Sequence, residues 1–196
     1  MDSSVRGRLC RLAGLAEYLR AMNVTRTPLE GLLLIEPRCF QDERGFFLES
    51  YERERYQSLG ITEDFVQDNH SRSARHVLRG LHYTKEKPQA QILTVMRGKI
   101  FDVVVDIRKD SPTFGKWFGT ELSDEGVRQI YMAHGFAHGF CVLSDFADLH
   151  YKVSHRYDPS DEGGLIWNDS EVKIDWPIEN PVISERDARH PALLSL

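Results

Sequence analysis

The sequence has few cysteines, three in all, and none of them forms a Cys-x-x-Cys pair. An odd and widely spaced set, Cys10, Cys39 and Cys141, indicates neither a disulfide framework nor a structural zinc site. The sequence also lacks an apolar run of about eighteen or more residues, and its N-terminus lacks the apolar core and cleavage pattern of a signal peptide. We therefore expect a cytoplasmic protein with reduced cysteines and no membrane partner.

An excess of basic residues is missing as well. The 196 residues include 25 Lys and Arg against 30 Asp and Glu, which gives a formal net charge of -5. Because non-specific nucleic-acid binding needs a basic surface, no nucleic-acid partner is predicted. With 41% hydrophobic and 28% charged residues, the composition is typical of a globular protein large enough to bury its own core.

Residues 1–27 differ in pattern from the rest of the chain. Between Leu9 and Met22 apolar residues recur every three or four positions, which predicts a short amphipathic helix in an N-terminal extension. Because this segment has no dense lysine face, we favour packing on the protein body or on a neighbouring subunit over binding to a membrane surface. The Thr27-Pro28 pair ends the extension, and one domain is expected over residues 28–196.

From residue 28 onward the sequence shows short apolar runs separated by turn-forming residues. The clearest runs are at 31–35, 91–96 and 100–107, and the clearest turns are at 97–99, 109–112 and 144–145. Many strands at short spacing favour an all-β sandwich or barrel. Helices are expected only at residues 52–59 and at the two termini.

His82 stands out in a polar part of a predicted strand, residues 78–83. Strict alternation puts Arg79 and His82 on opposite faces, unless Gly80 marks a bulge that lets both point into a barrel. The plain alternative is that His82 is one of the solvent-facing polar residues that strands often contain.

No metal site is predicted around His82. Small β-barrels with a Gly-x-His-x-His strand frequently bind a metal through both histidines, but here the second position is Thr84. His82 together with Glu86 falls short of the three protein ligands usual for a catalytic metal. A metal-dependent dioxygenase is therefore disfavoured, and His82 is free to act as an acid or base near neutral pH. His134 and His138 lie among glycines and phenylalanines, which favour a tight turn over metal binding.

Seven ordered segments carry a family resemblance. They are residues 42–49, 67–71, 78–83, 111–116, 135–140, 151–152, and 167–169 with 174–177. Taken together they resemble the dTDP-4-dehydrorhamnose 3,5-epimerase family, and the resemblance covers nearly everything from Leu29 onward. It implies an all-β, cupin-type β-barrel (jelly roll) with short peripheral helices, which forms a homodimer and uses no cofactor and no metal.

The same resemblance implies an epimerase that inverts C3, C5 or both in a dTDP-linked 4-keto-6-deoxy sugar, in deoxysugar biosynthesis for cell-surface polysaccharide. It places the base on His82, the aspartate that orients this base on Asp169, and the opposing acid on Tyr151. Because a C4 ketone acidifies the hydrogens on C3 and C5, a base and an acid on opposite ring faces can invert a carbon through an enolate. Without the resemblance, we would interpret Tyr151 as a buried strand aromatic whose hydroxyl caps a polar group.

Further residues are assigned to the substrate by the resemblance. Gln91 holds the position of the family's enolate-stabilising lysine, and its amide donates a hydrogen bond but brings no charge. His138 and Arg79 are other candidates near that oxygen or the diphosphate. The remaining assignments are Arg44, Gln67, Asn69 and Arg79 around the diphosphate and pyrimidine, Phe47 and Glu49 across a dimer interface, and Tyr157 and Glu162 in the base and sugar pocket, unless the last two form an ordinary polar turn.

Two alternatives stay open at this point. A 3-only or 5-only epimerase, or one that acts on a GDP- or CDP-linked sugar, fits the departure at Gln91. A catalytically silent sugar-nucleotide-binding cupin is the alternative outside catalysis. The joint presence of His82, Tyr151 and Asp169 argues against it, because a binding protein needs no acid/base pair.

Overall fold

The structure is a computed structural model that describes residues 22–196. The predicted amphipathic helix, apart from its last residue, and most of the extension lie outside the described residues. The predicted start of the domain at residue 28 is wrong, because Asn23–Arg26 already form an edge strand, β1, that pairs with Leu32–Glu36, β2. Backbone pairing rather than buried side chains fixes β1 in the sheet, so hydrophobic spacing gave no sign of it.

The described residues form two antiparallel sheets and a separate hairpin. The first sheet has the strand order β1-β2-β10-β7-β12-β5, the second has β13-β6-β11-β8-β9, and β3 pairs with β4 in the hairpin. The remaining strands are β3 Cys39–Asp42, β4 Gly45–Leu48, β5 Gln67–Ala74, β6 Leu78–Thr84, β7 Gln91–Arg97, β8 Lys99–Asp106, β9 Trp117–Ser123, β10 Gln129–Met132, β11 Phe136–Val142, β12 Phe146–Val153 and β13 Glu162–Gly164.

The two large sheets pack against each other around an apolar core. Leu93 and Leu149 of the first sheet share one buried cluster with Val104 and Phe140 of the second, and every residue of β11 is buried. Burial of the inner faces of both sheets is the main stabilising contribution in such a sandwich. The predicted all-β jelly roll is confirmed, as two packed sheets rather than one closed sheet.

The predicted turn at residues 97–99 carries the chain from one sheet to the other. Strand β7 ends at Arg97 in the first sheet, and β8 begins at Lys99 in the second. Gly98 between them has φ +87°, and an added Cβ would collide with the carbonyl oxygen of Phe146. Glycine is the residue that this crossing requires.

The helix predicted at residues 52–59 is confirmed as Arg53–Ser58, α1. Glu52 caps its start, because the carboxylate accepts hydrogen bonds from the backbone N–H groups of Glu54 and Arg55 at 3.1 and 2.8 Å. At the C-terminus the structure has 3-10 turns at Asp187–Arg189 and Leu193–Ser195. Among the described residues, no helix is both long and apolar enough to span a membrane.

Candidate active site

A bulge in β6 turns two of the predicted residues toward the same cavity. The pairing of β6 with β11 shifts by one residue between Arg79 and His82. Gly80, inside this shift, has φ +116°, and an added Cβ would lie 2.6 Å from the Cα of Gly139. Such a conformation and such a close approach both require glycine. Arg79 and His82 line one cavity, so the predicted bulge is confirmed.

This cavity, called the central cavity below, has a volume of about 290 Å³. Strands of both sheets form its wall, namely β5, β7 and β12 from the first sheet and β6 and β11 from the second. An adjoining cavity of about 500 Å³ shares Arg79 and His82 as a common wall and continues along the C-terminal segment. The predicted site residues that line the central cavity are Asn69, Arg79, His82, Gln91, His138, Tyr151 and Tyr157.

His82 is hydrogen-bonded to Asp187, a residue that the sequence analysis did not select. His82 Nε2 lies 3.0 Å from Asp187 Oδ1, and the other carboxylate oxygen accepts the backbone N–H of Gly80 at 3.1 Å. Burial opposes ionisation of Asp187, but the hydrogen bond and charge of His82, with the Gly80 N–H, lower the pKa of Asp187 below its ordinary value. An ionised carboxylate on one ring nitrogen fixes the tautomer of His82 and favours protonation at the other nitrogen.

Asp169 serves a different purpose, and its predicted role as the partner of His82 is corrected. Both of its oxygens are taken by the backbone, because the carboxylate accepts the N–H groups of Glu171, Val172 and Leu193 at 2.8, 3.0 and 2.8 Å. Burial opposes its ionisation, but these three donors lower the pKa of Asp169. Asp169 therefore anchors the C-terminal segment, and Asp187 is the aspartate that orients His82.

Arg186 places a permanent positive charge beside His82. Its Nη2 lies 3.0 Å from His82 Nε2, its Nε donates to Asp187 Oδ1 at 3.1 Å, and its Nη1 donates to Glu162 Oε2 at 2.6 Å. Glu162 also accepts a hydrogen bond from the Tyr157 hydroxyl at 3.1 Å. Tyr157 and Glu162, both selected from the sequence, thus belong to one polar network with His82.

Tyr151 reaches the central cavity from β12, which lies in the sheet opposite that of His82. Its hydroxyl lies 3.2 Å from Ser71 Oγ. Burial raises the pKa of Tyr151 to about 12. The hydroxyl therefore stays protonated at neutral pH and can donate a proton.

The central cavity also contains further groups that can donate hydrogen bonds to an oxygen. His138 forms a second buried imidazole–carboxylate pair, with Nε2 2.8 Å from Asp102 Oδ2. Gln91 donates from its amide to Gln89 Oε1 at 3.0 Å. Arg79 is exposed on the same wall.

Gln67 borders the central cavity through its neighbours. It donates to Asn69 Oδ1 at 2.7 Å, and its own amide oxygen accepts the backbone N–H of Tyr157 at 3.1 Å. These bonds connect β5 to the loop that carries Tyr157. The three predicted residues therefore lie together.

Within one chain, Arg44, Phe47 and Glu49 do not line the central cavity. Arg44 forms an ion pair with Asp42 in the β3–β4 hairpin, and Phe47 in the same hairpin is 70% exposed. Glu49 Oε1 lies 2.7 Å from Arg55 Nη1. The role of Phe47 and Glu49 across a dimer interface and the role of Arg44 near the diphosphate and pyrimidine stay predictions.

Three residues that contact His82 but were not predicted from the sequence lie in residues 184–190. This segment supplies Arg186, Asp187 and His190 around His82, through an irregular stretch that ends in a 3-10 turn. It shows neither a strand nor a helix period, and the presence of a charged residue type alone does not indicate where the side chain lies in the fold. Only the spatial contact with β6 identifies them.

His82, Asp187 and His190 place three potential metal-binding atoms within 4.8 Å of one another. A catalytic metal usually has three protein ligands at such a site. However, the Arg186 guanidinium lies 3.0 Å from His82 Nε2. Because a metal ion would have to displace this guanidinium from His82 and Asp187, the donor set as arranged does not fit a metal ion.

Comparison with known proteins gives consistent results. A family model described as dTDP-4-dehydrorhamnose 3,5-epimerase matches residues 26–195. A Shigella flexneri protein named dTDP-4-dehydrorhamnose 3,5-epimerase is 49% identical over 168 residues, which are 85% of this chain and 93% of the relative. A Streptomyces niveus protein named dTDP-4-dehydrorhamnose 3-epimerase is 44% identical over 161 residues, 81% of this chain and 78% of the relative.

Solved structures show the same similarity. A Legionella pneumophila dTDP-6-deoxy-D-glucose-3,5-epimerase, crystallised in complex with dTDP-4-keto-L-rhamnose, superposes with a TM-score of 0.86 at 48% identity. The match covers 88% of this chain and 93% of that chain. The family resemblance drawn from the sequence is confirmed.

Proposed function

The chain belongs to the dTDP-4-dehydrorhamnose 3,5-epimerase family, and on this premise we propose that it is an isomerase acting on a dTDP-linked 4-keto-6-deoxy sugar. The observation that carries the proposal is the placement of His82 and Tyr151 on walls of the central cavity that come from opposite sheets. Inversion of a carbon needs a base on one face of the sugar ring and an acid on the other. A silent binding protein needs no such pair.

In the proposed reaction, His82 removes a proton from a carbon next to the C4 ketone. The C–H bond breaks, its electron pair forms the enolate, and the proton adds to the ring nitrogen of His82 that does not face Asp187. Asp187 stabilises the resulting imidazolium. Tyr151 then donates its hydroxyl proton to the same carbon from the opposite face, which inverts it. Solvent resets the imidazolium and the tyrosinate before the next inversion.

The enolate oxygen needs a hydrogen-bond donor, because stabilisation of developing charge is often the largest contribution to catalysis. Gln91 lines the cavity but brings no charge. The His138–Asp102 pair is the ionisable partner that we assign to this oxygen. For the diphosphate and pyrimidine we assign Arg79, Asn69 and Gln67, since arginine forms charge-assisted bonds with phosphate oxygens.

A single-centre epimerase is the second candidate function. Gln91 favours it, because a weaker donor at the enolate oxygen lowers the rate of each deprotonation and can leave one centre untouched. Relatives of both kinds occur at similar identity, 49% for the Shigella flexneri protein and 44% for the Streptomyces niveus protein. We place either activity in cytoplasmic deoxysugar biosynthesis, in line with the unpaired state of Cys39 and Cys141.

Deuterium labelling tests the proposed function. Wild-type enzyme given dTDP-4-keto-6-deoxyglucose in deuterated water is expected to place deuterium on each inverted carbon, and NMR locates the label at C3, C5 or both. Tyr151→Phe is expected to keep some washout of these hydrogens, because the enolate still forms and can be reprotonated from the side it left. Net inversion should fall by about 100-fold to 10,000-fold, the contribution of a positioned acid.

The matched control is Tyr131→Phe, which removes another buried tyrosine hydroxyl. Tyr131 is bonded to Glu63 at 3.0 Å and lies outside the lining of the central cavity, so inversion should stay near the wild-type rate. Wild-type protein that incorporates no deuterium at either carbon would refute the proposed activity. If Tyr151→Phe lost solvent exchange of the C3 and C5 hydrogens as strongly as net inversion, Tyr151 would not be the acid.

We also propose that the β3–β4 hairpin docks on a second copy of the chain. Its apolar side chains are exposed, with Phe40 at 49%, Phe46 at 62% and Phe47 at 70%. A cluster of exposed aromatic residues on a projecting hairpin is typical of a protein–protein contact. Docking of this kind would place Arg44 and Phe47 of each chain near the substrate of the other.

Light scattering at micromolar concentration is expected to give the mass of two chains. The double substitution Phe46→Ser with Phe47→Ser should shift the protein toward the monomer and raise KM about tenfold or more, because central aromatic residues carry much of an interface's energy. Leu194→Ser is the control, since Leu194 is 77% exposed and belongs to the C-terminal 3-10 turn rather than to the hairpin. A wild-type monomer under these conditions would contradict the proposal.

A further inference from the structure

His190 has a buried ring nitrogen for which the described residues offer no hydrogen-bond partner. Its Nε2 is buried, and its side chain is 13% exposed. Asp187 Oδ1 lies 3.5 Å from this nitrogen, and the same oxygen lies 3.0 Å from His82 Nε2. Buried polar atoms are nearly always hydrogen-bonded, so an orphaned one beside a catalytic pair calls for an explanation.

The fold makes a specific place for this ring. His190 packs edge-to-face on His82, with ring centroids 5.6 Å apart and an interplanar angle of 85°. It also lies against Gly164, which pairs with His82 across β13 and β6. An added Cβ at Gly164 would overlap the imidazole, so the absence of a side chain there leaves the space that His190 fills.

The charges around His190 favour its neutral form. Burial lowers its pKa, and the charge that His82 takes up lowers it further. Arg186 acts in the same direction, whereas Asp187 and Glu162 oppose it, and the pKa of His190 lies below its ordinary value. A neutral imidazole still donates one hydrogen bond but adds no cation beside His82.

We propose that His190 is a positioning residue for the His82–Asp187 pair. It is a second imidazole that donates a hydrogen bond to Asp187 and thereby weakens the hydrogen bond between this carboxylate and His82. The inference rests on the proposed function, because it concerns the base of that reaction. The 3.5 Å contact becomes a full hydrogen bond after a movement of a few tenths of an ångström, and catalytic hydrogen bonds commonly tighten in this way when substrate binds.

The proposed hydrogen bond from His190 to Asp187 should favour the neutral form of His82 over its protonated form. His82 can remove a proton only while its ring is neutral, and a carboxylate with fewer donors is a stronger partner for the imidazolium. Loss of the His190 donor should therefore strengthen the hydrogen bond between Asp187 and protonated His82, so that the acid limb of activity moves to higher pH.

The test compares the pH profiles of kcat/KM for His190→Leu and His190→Gln, which have similar volume but differ in the donor. For the leucine variant the acid limb should move up by about half a pH unit or more, and kcat at pH 7 should fall up to about tenfold while KM changes little. The glutamine variant should keep the limb near its wild-type position. Gly164→Ala, which displaces the unchanged His190 ring, should reproduce the leucine result.

Melting temperatures separate these effects from misfolding, and Gly164→Ala keeps the test informative if His190→Leu does not fold. An acid limb that stays at its wild-type position in both His190→Leu and Gly164→Ala would overturn the inference. A glutamine variant shifted as far as the leucine variant would overturn it too. Failure of the proposed function is distinct, because wild-type enzyme would then show no deuterium incorporation at all.

Discussion

His82→Ala is expected to abolish turnover and the exchange of the C3 and C5 hydrogens with solvent together, because no enolate forms without the base. The expected loss is about 10,000-fold or more, at the upper end of what one positioned acid/base group contributes. His82→Asn, which keeps a polar side chain of moderate size, should fail in the same way. Affinity for dTDP, measured by calorimetry, should change little, because the nucleotide contacts supply most of the binding free energy.

A matched histidine elsewhere in the fold provides the control. His70 on β5 is also paired with an aspartate, with Nε2 3.1 Å from Asp148 Oδ1, but its side chain is 62% exposed and outside the central cavity. His70→Ala should therefore keep the wild-type rates of exchange and inversion. Solvent exchange at the wild-type rate in His82→Ala would mean that the base is another residue, and the mechanism would have to be abandoned.

Asp187→Asn and Asp169→Asn are expected to have different effects: the first should lower kcat, and the second should lower stability. In Asp187→Asn the amide no longer fixes the tautomer of His82 or stabilises its positive charge, so kcat should fall by about 1,000-fold to 10,000-fold. In Asp169→Asn an amide replaces an acceptor of three backbone N–H groups. That change should lower the free energy of unfolding by about 1–3 kcal/mol while the folded enzyme keeps its kcat.

Thermal melting and steady-state kinetics on both variants give a crossed comparison. The expected pattern is a large kinetic loss with a modest change in melting temperature for Asp187→Asn, and the reverse for Asp169→Asn. If Asp169→Asn instead lost activity at unchanged stability, the assignment of Asp187 as the orienting aspartate would be wrong. The two substitutions are chemically identical, so the difference between them reports only position.

The fold was predictable because its determinants are local. The apolar run at residues 100–107 and the turn at Gly98 are explained by strand burial and by a backbone conformation that glycine adopts easily. The bulge at Gly80 followed from the same kind of reasoning, since a glycine inside a strand pattern suggests a bulge. With the bulge came the convergence of Arg79 and His82 on one cavity.

The choice between Asp169 and Asp187 could not be made in this way. An aspartate that accepts N–H groups two and three residues later and an aspartate that reaches a histidine 105 residues away have the same chemistry. Only the path of the irregular C-terminal segment decides which one meets His82, and no periodicity encodes that path. The pairing of β1 escaped prediction for a related reason, because its side chains are mostly exposed.

The bulge in β6 also changes which residue numbers share a face. In a regular strand, residues on one face are separated by even numbers, yet Arg79 and His82 are three apart and line the same cavity. The residues that face the cavity therefore change from odd numbers before Gly80 to even numbers after it. An alignment that treats β6 as one uninterrupted alternation assigns the wrong face to half of it. Grafting His82 into another β-sandwich protein in the same orientation would require residues 79–82 to be moved together.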